Sequence, residues 1–167
     1  ITAVSEEGLG ITIMNRLKKT CAGNIKNLKN ILFICTGNTC RSPMAEFILK
    51  SYNIDGLIVK SRGLYVCCMS KMAFSSEKIL KDNGISFSDF SSCQVSKKDI
   101  ENADEIYTMT KSQKDTLINS FPHLKEKIHT LKENEDIKDP YMQPIEVYQS
   151  AFDDIRIAIE KRFLNGY

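Results

Sequence analysis

The chain has 167 residues, 42% hydrophobic and 26% charged, with a formal net charge of +2. That balance fits one globular domain with its own core and excludes a disordered chain. The charge is too small to imply nucleic acid, and Lys18-Lys19, Lys97-Lys98, Lys111 and Lys114 form no stripe alternating with aromatics, so no nucleic-acid partner is expected.

No apolar run reaches the about 20 residues needed to cross a bilayer, and the start lacks the charged and apolar blocks of a secretory signal. The expected location is the cytoplasm, with no membrane partner, where Cys21, Cys35, Cys40, Cys67, Cys68 and Cys93 stay reduced. They form no CxxC pair, and His123 and His129 stand apart from them, so neither a metal nor an organic cofactor is expected.

The chain opens on Ile1 rather than methionine, and residues 1–27 are polar and basic around a Gly8-Leu9-Gly10 turn. They read as a leader or fusion remnant, in a longer or processed product, ahead of a domain over 28–167. Residues 31–34, Ile-Leu-Phe-Ile, are a continuous apolar run, as in a strand buried on both faces. A loop over 35–40 follows. Pro43 suits a first helical turn, and Met44, Phe47, Ile48 and Tyr52 recur at helical spacing, with Glu46 and Lys50 paired outside.

A second strand is predicted over 57–59, and a helix over 71–83 that stops at Asn83-Gly84. A third strand over 106–109 leads into a helix over 111–119, and a short fourth strand covers 128–131. Ile145, Tyr148, Phe152, Ile155, Ile159 and Phe163 form the stripe of a last helix. Strands alternating with helices predict an α/β fold, with a parallel sheet covered on both sides.

The chemistry gathers at Cys35-Thr36-Gly37-Asn38-Thr39-Cys40-Arg41-Ser42, between the first strand and the first helix. Backbone N–H groups and the positive helix end converge there on any bound anion. Gly37 is expected to let the loop turn back on itself. Five residues between Cys35 and Arg41 can bend into a cradle that sets the guanidinium beside the sulfur. A helix N-terminus and a cation favour the nucleophilic thiolate, and Ser42 can donate to it. Arg41 matches two phosphoryl oxygens as a fork. Leaving-group expulsion also needs an acid, and Asp99, Asp104, Asp136 and Asp139 are all loop candidates by pattern alone.

ILFICTGNTCRSPMAE, from Ile31 to Glu46, resembles the low-molecular-weight protein tyrosine phosphatase family. The likeness extends through Ser61-Arg62-Gly63, Ala103-Asp104, Tyr107-Thr108-Met109-Thr110 and Asp139-Pro140-Tyr141. It implies a three-layer αβα sandwich around a four-stranded parallel sheet. It also implies a phosphocysteine at Cys35, an arginine clamp at Arg41 and an acid, then base, at Asp139. Thr36 to Ser42 form the phosphate loop, in which Asn38 and Ser42 shape the turn and stabilise the thiolate.

The loop CTGNTCRS resembles the bacterial protein arginine phosphatase branch, in which threonine stands at Thr39's place and isoleucine is usual in tyrosine-specific members. Thr39 and Tyr141 are therefore expected at the substrate pocket. The resemblance implies phosphorylated protein substrates, phosphoarginine foremost and phosphotyrosine as the alternative; a monomer is expected. Cys40 stands where the family traps an oxidised nucleophile as a disulfide. Arsenate reductases, the second alternative, share a similar loop but need a further cysteine pair, and Cys93 lacks such a downstream partner. Cys67, Cys68 and Cys93 are read as structural or incidental. Residues 8–19 resemble the C-terminal end of threonylcarbamoyl-AMP synthases.

Overall fold

The computed structural model describes residues 28–165, so the leader over 1–27, with its synthase-like stretch, lies outside the described residues. Strands β1 (Lys29–Cys35), β2 (Leu57–Gly63), β3 (Glu105–Thr108) and β4 (Ile128–Thr130) form one parallel sheet in the order β2-β1-β3-β4. Among the described residues five α-helices accompany them: α1 (Arg41–Ser51), α2 (Phe74–Asp82), α3 (Lys97–Asn102), α4 (Lys111–Ser120) and α5 (Ile145–Phe163).

The period of two along β1 divides the core. Ile31, Phe33 and Cys35 face the cluster holding Met44, Ile48, Ile79, Leu80, Phe152 and Ile159 from α1, α2 and α5. Leu32 and Ile34 face the other side, with Ile100 of α3 and Leu117 of α4. Helices therefore cover both faces, which is the expected three-layer α/β sandwich. With β2 on one side of β1 and β3 on the other, the chain order reverses at β1. A crevice opens at the carboxyl end of that strand, where such sheets bind ligands.

Several boundaries differ from the sequence expectation for identifiable reasons. The second strand runs on to Gly63 because β1 pairs with it throughout, from Lys29↔Leu57 to Cys35↔Gly63. Ser61, Arg62 and Gly63 thus lie inside a strand rather than after it. Helix α2 starts at Phe74, not 71, because Ala73 N–H is drawn away to the Thr39 carbonyl at 2.9 Å. It does close at Gly84: that residue takes φ +71°, and Gly84 and Ile85 N–H reach the Lys81 and Leu80 carbonyls.

Met109 falls outside β3 because its N–H is shared between the Ile34 carbonyl and Gln113 Oε1. Two elements were not expected. Helix α3 is set by a capping box between Ser96 and Asp99, and a 3₁₀ turn occupies Pro122–Lys127. No helix among the described residues is long and apolar enough to cross a membrane.

Candidate active site

The loop after β1 is a cradle whose carbonyls point out. Those of Cys35, Thr36 and Thr39 accept from Leu64, Tyr65 and Ala73 N–H, each at 2.9 Å. A trans peptide sets the next N–H opposite its carbonyl, so the amides of Gly37 and Cys40 turn toward the concave side. Helix α1 begins at Arg41 with no side-chain cap at Cys40 and no acidic residue in its first turn. By contrast, α3 and α4 are both closed by capping boxes, Ser96 with Asp99 and Thr110 with Gln113. The helix end beside Cys35 thus keeps its positive dipole for an incoming anion.

Cys35 lies at the base, 3% exposed. Its sulfur sits 3.0 Å from Ser42 Oγ and 3.3 Å from the Asn38 N–H, which donates to it. Ser42 is held by the groups behind it. Ser61 donates to the Glu46 carboxylate at 2.6 Å, and Asn38 Nδ2 donates to both Ser61 Oγ (3.0 Å) and Ser42 Oγ (2.9 Å). Ser42 thus accepts from Asn38 and has one hydrogen to give, with the Cys35 sulfur at 3.0 Å and the Arg62 carbonyl at 3.4 Å both within reach. A chain of hydrogen bonds thus runs from Glu46 through Ser61, Asn38 and Ser42 to the Cys35 sulfur. Glu46, expected outside, is only 8% exposed, while its pairing with Lys50 does hold.

The residue that lets the loop turn is Asn38, at φ +55°, not Gly37, which lies outside the left-handed region. Asn is one of the few non-glycine residues that tolerate this conformation. Its carboxamide oxygen also accepts from Cys93 N–H at 2.9 Å. The indispensable glycine is Gly63. A Cβ there would lie 2.5 Å from Val66 Cγ2 and 2.8 Å from the Thr36 carbonyl oxygen.

Arg41 is 4% exposed; its Nη1 donates to the Ile137 carbonyl at 3.1 Å and its Nη2 pairs with Asp139 Oδ2 at 2.9 Å. Its Nε is buried without a hydrogen-bond partner, a donor suited to a bound oxyanion. Asp139 also accepts from Tyr141 N–H through Oδ1, and its side chain is 54% exposed at the cleft. The rival carboxylates are engaged elsewhere: Asp99 with Ser96 and Arg62, Asp104 with Asn30, Asp136 with Lys111 N–H. Of the four candidates that pattern alone left open, Asp139 is the one that lines the cleft with Cys35 and pairs with Arg41.

The cleft has a volume of about 280 Å³, and Cys35, Thr36, Gly37, Thr39, Cys40, Arg41, Asp139 and Tyr141 all line it. Asn38 and Ser42 lie beneath the loop, fully buried. Burial pushes the Cys40 thiol up, with hydrogen bonding to Tyr148 and Thr39 opposing; its sulfur lies 3.6 Å from Tyr148 Oη and from Thr39 Oγ1. Cys67 and Cys68 are not structural thiols: both are exposed, on the wall of this cleft.

A parallel sheet with an open helix end, a cysteine beneath it and an arginine beside it is the architecture of a cysteine-dependent phosphatase. The profile of the family described as low molecular weight phosphotyrosine protein phosphatase matches residues 30–165, and the chain belongs to that family of phosphoprotein phosphatases. A protein-arginine-phosphatase of Geobacillus stearothermophilus is 40% identical over 136 residues, 78% of this chain and 91% of that protein. The solved arginine phosphatase of Geobacillus stearothermophilus superposes with a TM-score of 0.76 at 38% identity, over 80% of this chain and 89% of that one. A solved arginine phosphatase mutant with a phosphorylated active-site serine superposes at 0.73, with 27% identity and coverage of 81% and 98%.

Proposed function

We propose that the chain removes phosphate from phosphoarginine in proteins, with Cys35 as nucleophile, Arg41 as clamp and Asp139 as acid and then base. The Cys35 thiolate attacks phosphorus while Asp139 protonates the departing nitrogen, leaving a phosphocysteine. Asp139 then takes a proton from water, whose oxygen attacks phosphorus and releases phosphate and the thiolate. The inward amides of the loop and Arg41 carry the charge in both steps. The convergence of Cys35, Arg41 and Asp139 on one cleft is the observation that carries this mechanism.

Thr39 on the cleft wall and the arginine phosphatase relatives favour phosphoarginine. The family description and Tyr141, which also lines the cleft, favour phosphotyrosine as the second reading. Cys40, buried beside Cys35, suits a protective role. Peroxide oxidises the Cys35 thiolate to a sulfenic acid, and the Cys40 thiol then displaces water from it to give a disulfide. A cytoplasmic location, a monomeric state and a domain starting near residue 28 belong to the same reading.

The test measures phosphate release from a phosphoarginine protein and a phosphotyrosine peptide side by side, with Cys35→Ser as control. Preference for phosphoarginine, lost in the control and reversed toward phosphotyrosine by Thr39→Ile, is expected. Preference for phosphotyrosine by the unmodified chain would overturn the substrate.

A further inference from the structure

The cleft has an apolar rim that the chemistry does not use. Nine large hydrophobic side chains are exposed among the described residues, and five of them, Tyr65, Met69, Phe74, Tyr141 and Met142, belong to the two segments that wall the cleft. Tyr65 and Tyr141 line it directly. Met69 lies between the lining residues Cys68 and Ser70, and Phe74 follows Ala73, which is bound to the Thr39 carbonyl. Met142 follows Tyr141. Met69, Phe74 and Met142 are 78%, 80% and 83% exposed, so none is held by the core.

Three further observations set this rim apart from scattered surface hydrophobics. Residues 64–74 and 140–145 contain one charge, Lys71, in seventeen positions, where the chain average of 26% would place about four. Depletion of charge with enrichment in Met and aromatics is the composition of an interface centre. Second, the longer segment is pinned. Ser70 and Ser92 exchange bonds through Ser70 N–H to Ser92 Oγ (2.9 Å) and Ser92 N–H to the Ser70 carbonyl (2.8 Å). Gln94 binds Val66 N–H and the Leu64 carbonyl. Third, Met142 holds φ +57°, a conformation that L residues avoid, immediately beyond the substrate wall.

We propose that this rim docks the protein that carries the phosphoryl group, and that it favours segments with apolar side chains flanking the phosphorylated residue. The inference rests on the phosphoprotein phosphatase reading above. It names the flanking chemistry, which the loop itself does not address. The rim is continuous with the cleft, so whatever delivers a phosphorylated side chain to Cys35 must lie across it. A second copy of the chain seated there would cover Cys35. The unbranched methionines suit the task, because they adapt to differing apolar partners.

Two peptides of equal length test this, each carrying the same phosphorylated residue, one with Leu and Phe flanks and one with Ser and Asn flanks. Both are made with phosphoarginine and with phosphotyrosine. The apolar peptide is expected to show at least a tenfold higher kcat/KM, arising in KM. That ratio should fall close to one in a Met69→Ser, Phe74→Ser double variant, and remain in Ile157→Ser, which removes an exposed hydrophobic on α5 away from the cleft. Equal kcat/KM for the two flanks, or a preference that survives the double variant, overturns the proposal.

Sedimentation velocity adds a further arm: a dimer dispersed by the double variant would assign the rim to self-association and overturn it too. Para-nitrophenyl phosphate separates the layers. Its hydrolysis without discrimination between the peptides refutes the rim alone. No hydrolysis of it or of either peptide refutes the phosphatase reading, and the rim with it.

Discussion

The loop around Cys35 and the apolar rim of the cleft are opposite kinds of surface. Around Cys35 the polar side chains are buried and committed: Glu46 holds Ser61, Ser61 and Ser42 accept from Asn38, and Ser42 Oγ stands 3.0 Å from the sulfur. On the segments that wall the same cleft, Met69, Phe74 and Met142 project into solvent. The difference separates two tasks. Charge stabilisation needs dipoles fixed in advance, because a site that reorganises during reaction loses the benefit. Recognition of varied protein segments tolerates adaptable apolar contacts.

The largest expected break of this contrast is Arg41→Lys. Lysine keeps the charge but not the planar fork, nor the second donor that binds the Ile137 carbonyl. Steady-state kinetics should show kcat reduced by about 10²–10³, the scale of losing one fixed oxyanion donor. A nearly normal kcat would mean that the fork is not used.

Asn38 separates the loop's backbone from its side-chain relay. Asn38→Ala loses both the tolerated positive φ and the bridging amide, whereas Asn38→Gly restores the φ alone. Denaturant unfolding should give a loss of about 2–3 kcal/mol for alanine. Glycine should recover about 1 kcal/mol of that without recovering kcat. Equal stability of the two variants would show that the turn is unstrained.

Gly63→Ala presses a methyl against the Thr36 carbonyl, which is backbone and cannot rotate away. Unfolding experiments should show about 1–3 kcal/mol of destabilisation, and the shifted loop should lower kcat with it. A fully stable and active variant would contradict the packing described. On the rim the expected sign reverses. Met142→Gly relieves a strained residue that holds no core contact, so stability should rise by up to about 1 kcal/mol in a thermal melt. A stability loss would show that Met142 packs where the structure leaves it exposed.

Local features were the legible ones. The apolar run of β1, the five-residue gap from Cys35 to Arg41 and the long stripe of α5 are each read within one segment, and each holds in the fold. Features that depend on register were not. Glu46 faces inward only because α1 packs on β1 and β2, and Ser61 meets Asn38 only because Phe33 is opposite Ser61 in the sheet. Asp139 separates from Asp99, Asp104 and Asp136 only once each carboxylate's partner is known.

Helix α3 carried a readable signal, since Ser96 and Asp99 are three apart before Ile100, but six residues with a single buried apolar side chain show no period. Gly37 was the natural choice for the turn by residue type. The left-handed conformation fell instead to the asparagine whose side chain bridges Ser42, Ser61 and Cys93.

The central claim is that Cys35, held at the base of a prearranged loop, takes the phosphoryl group. Its most direct test is to slow breakdown of the intermediate with Asp139→Asn, mix the variant with para-nitrophenyl phosphate, whose nitrophenolate leaves without a proton, quench and map the modified residue by mass spectrometry. One phosphoryl group on the peptide carrying Cys35, absent when Cys35→Ala is added, is the predicted result. A phosphoryl group on another residue, or rapid phosphate release with no modified enzyme at any time, would contradict it.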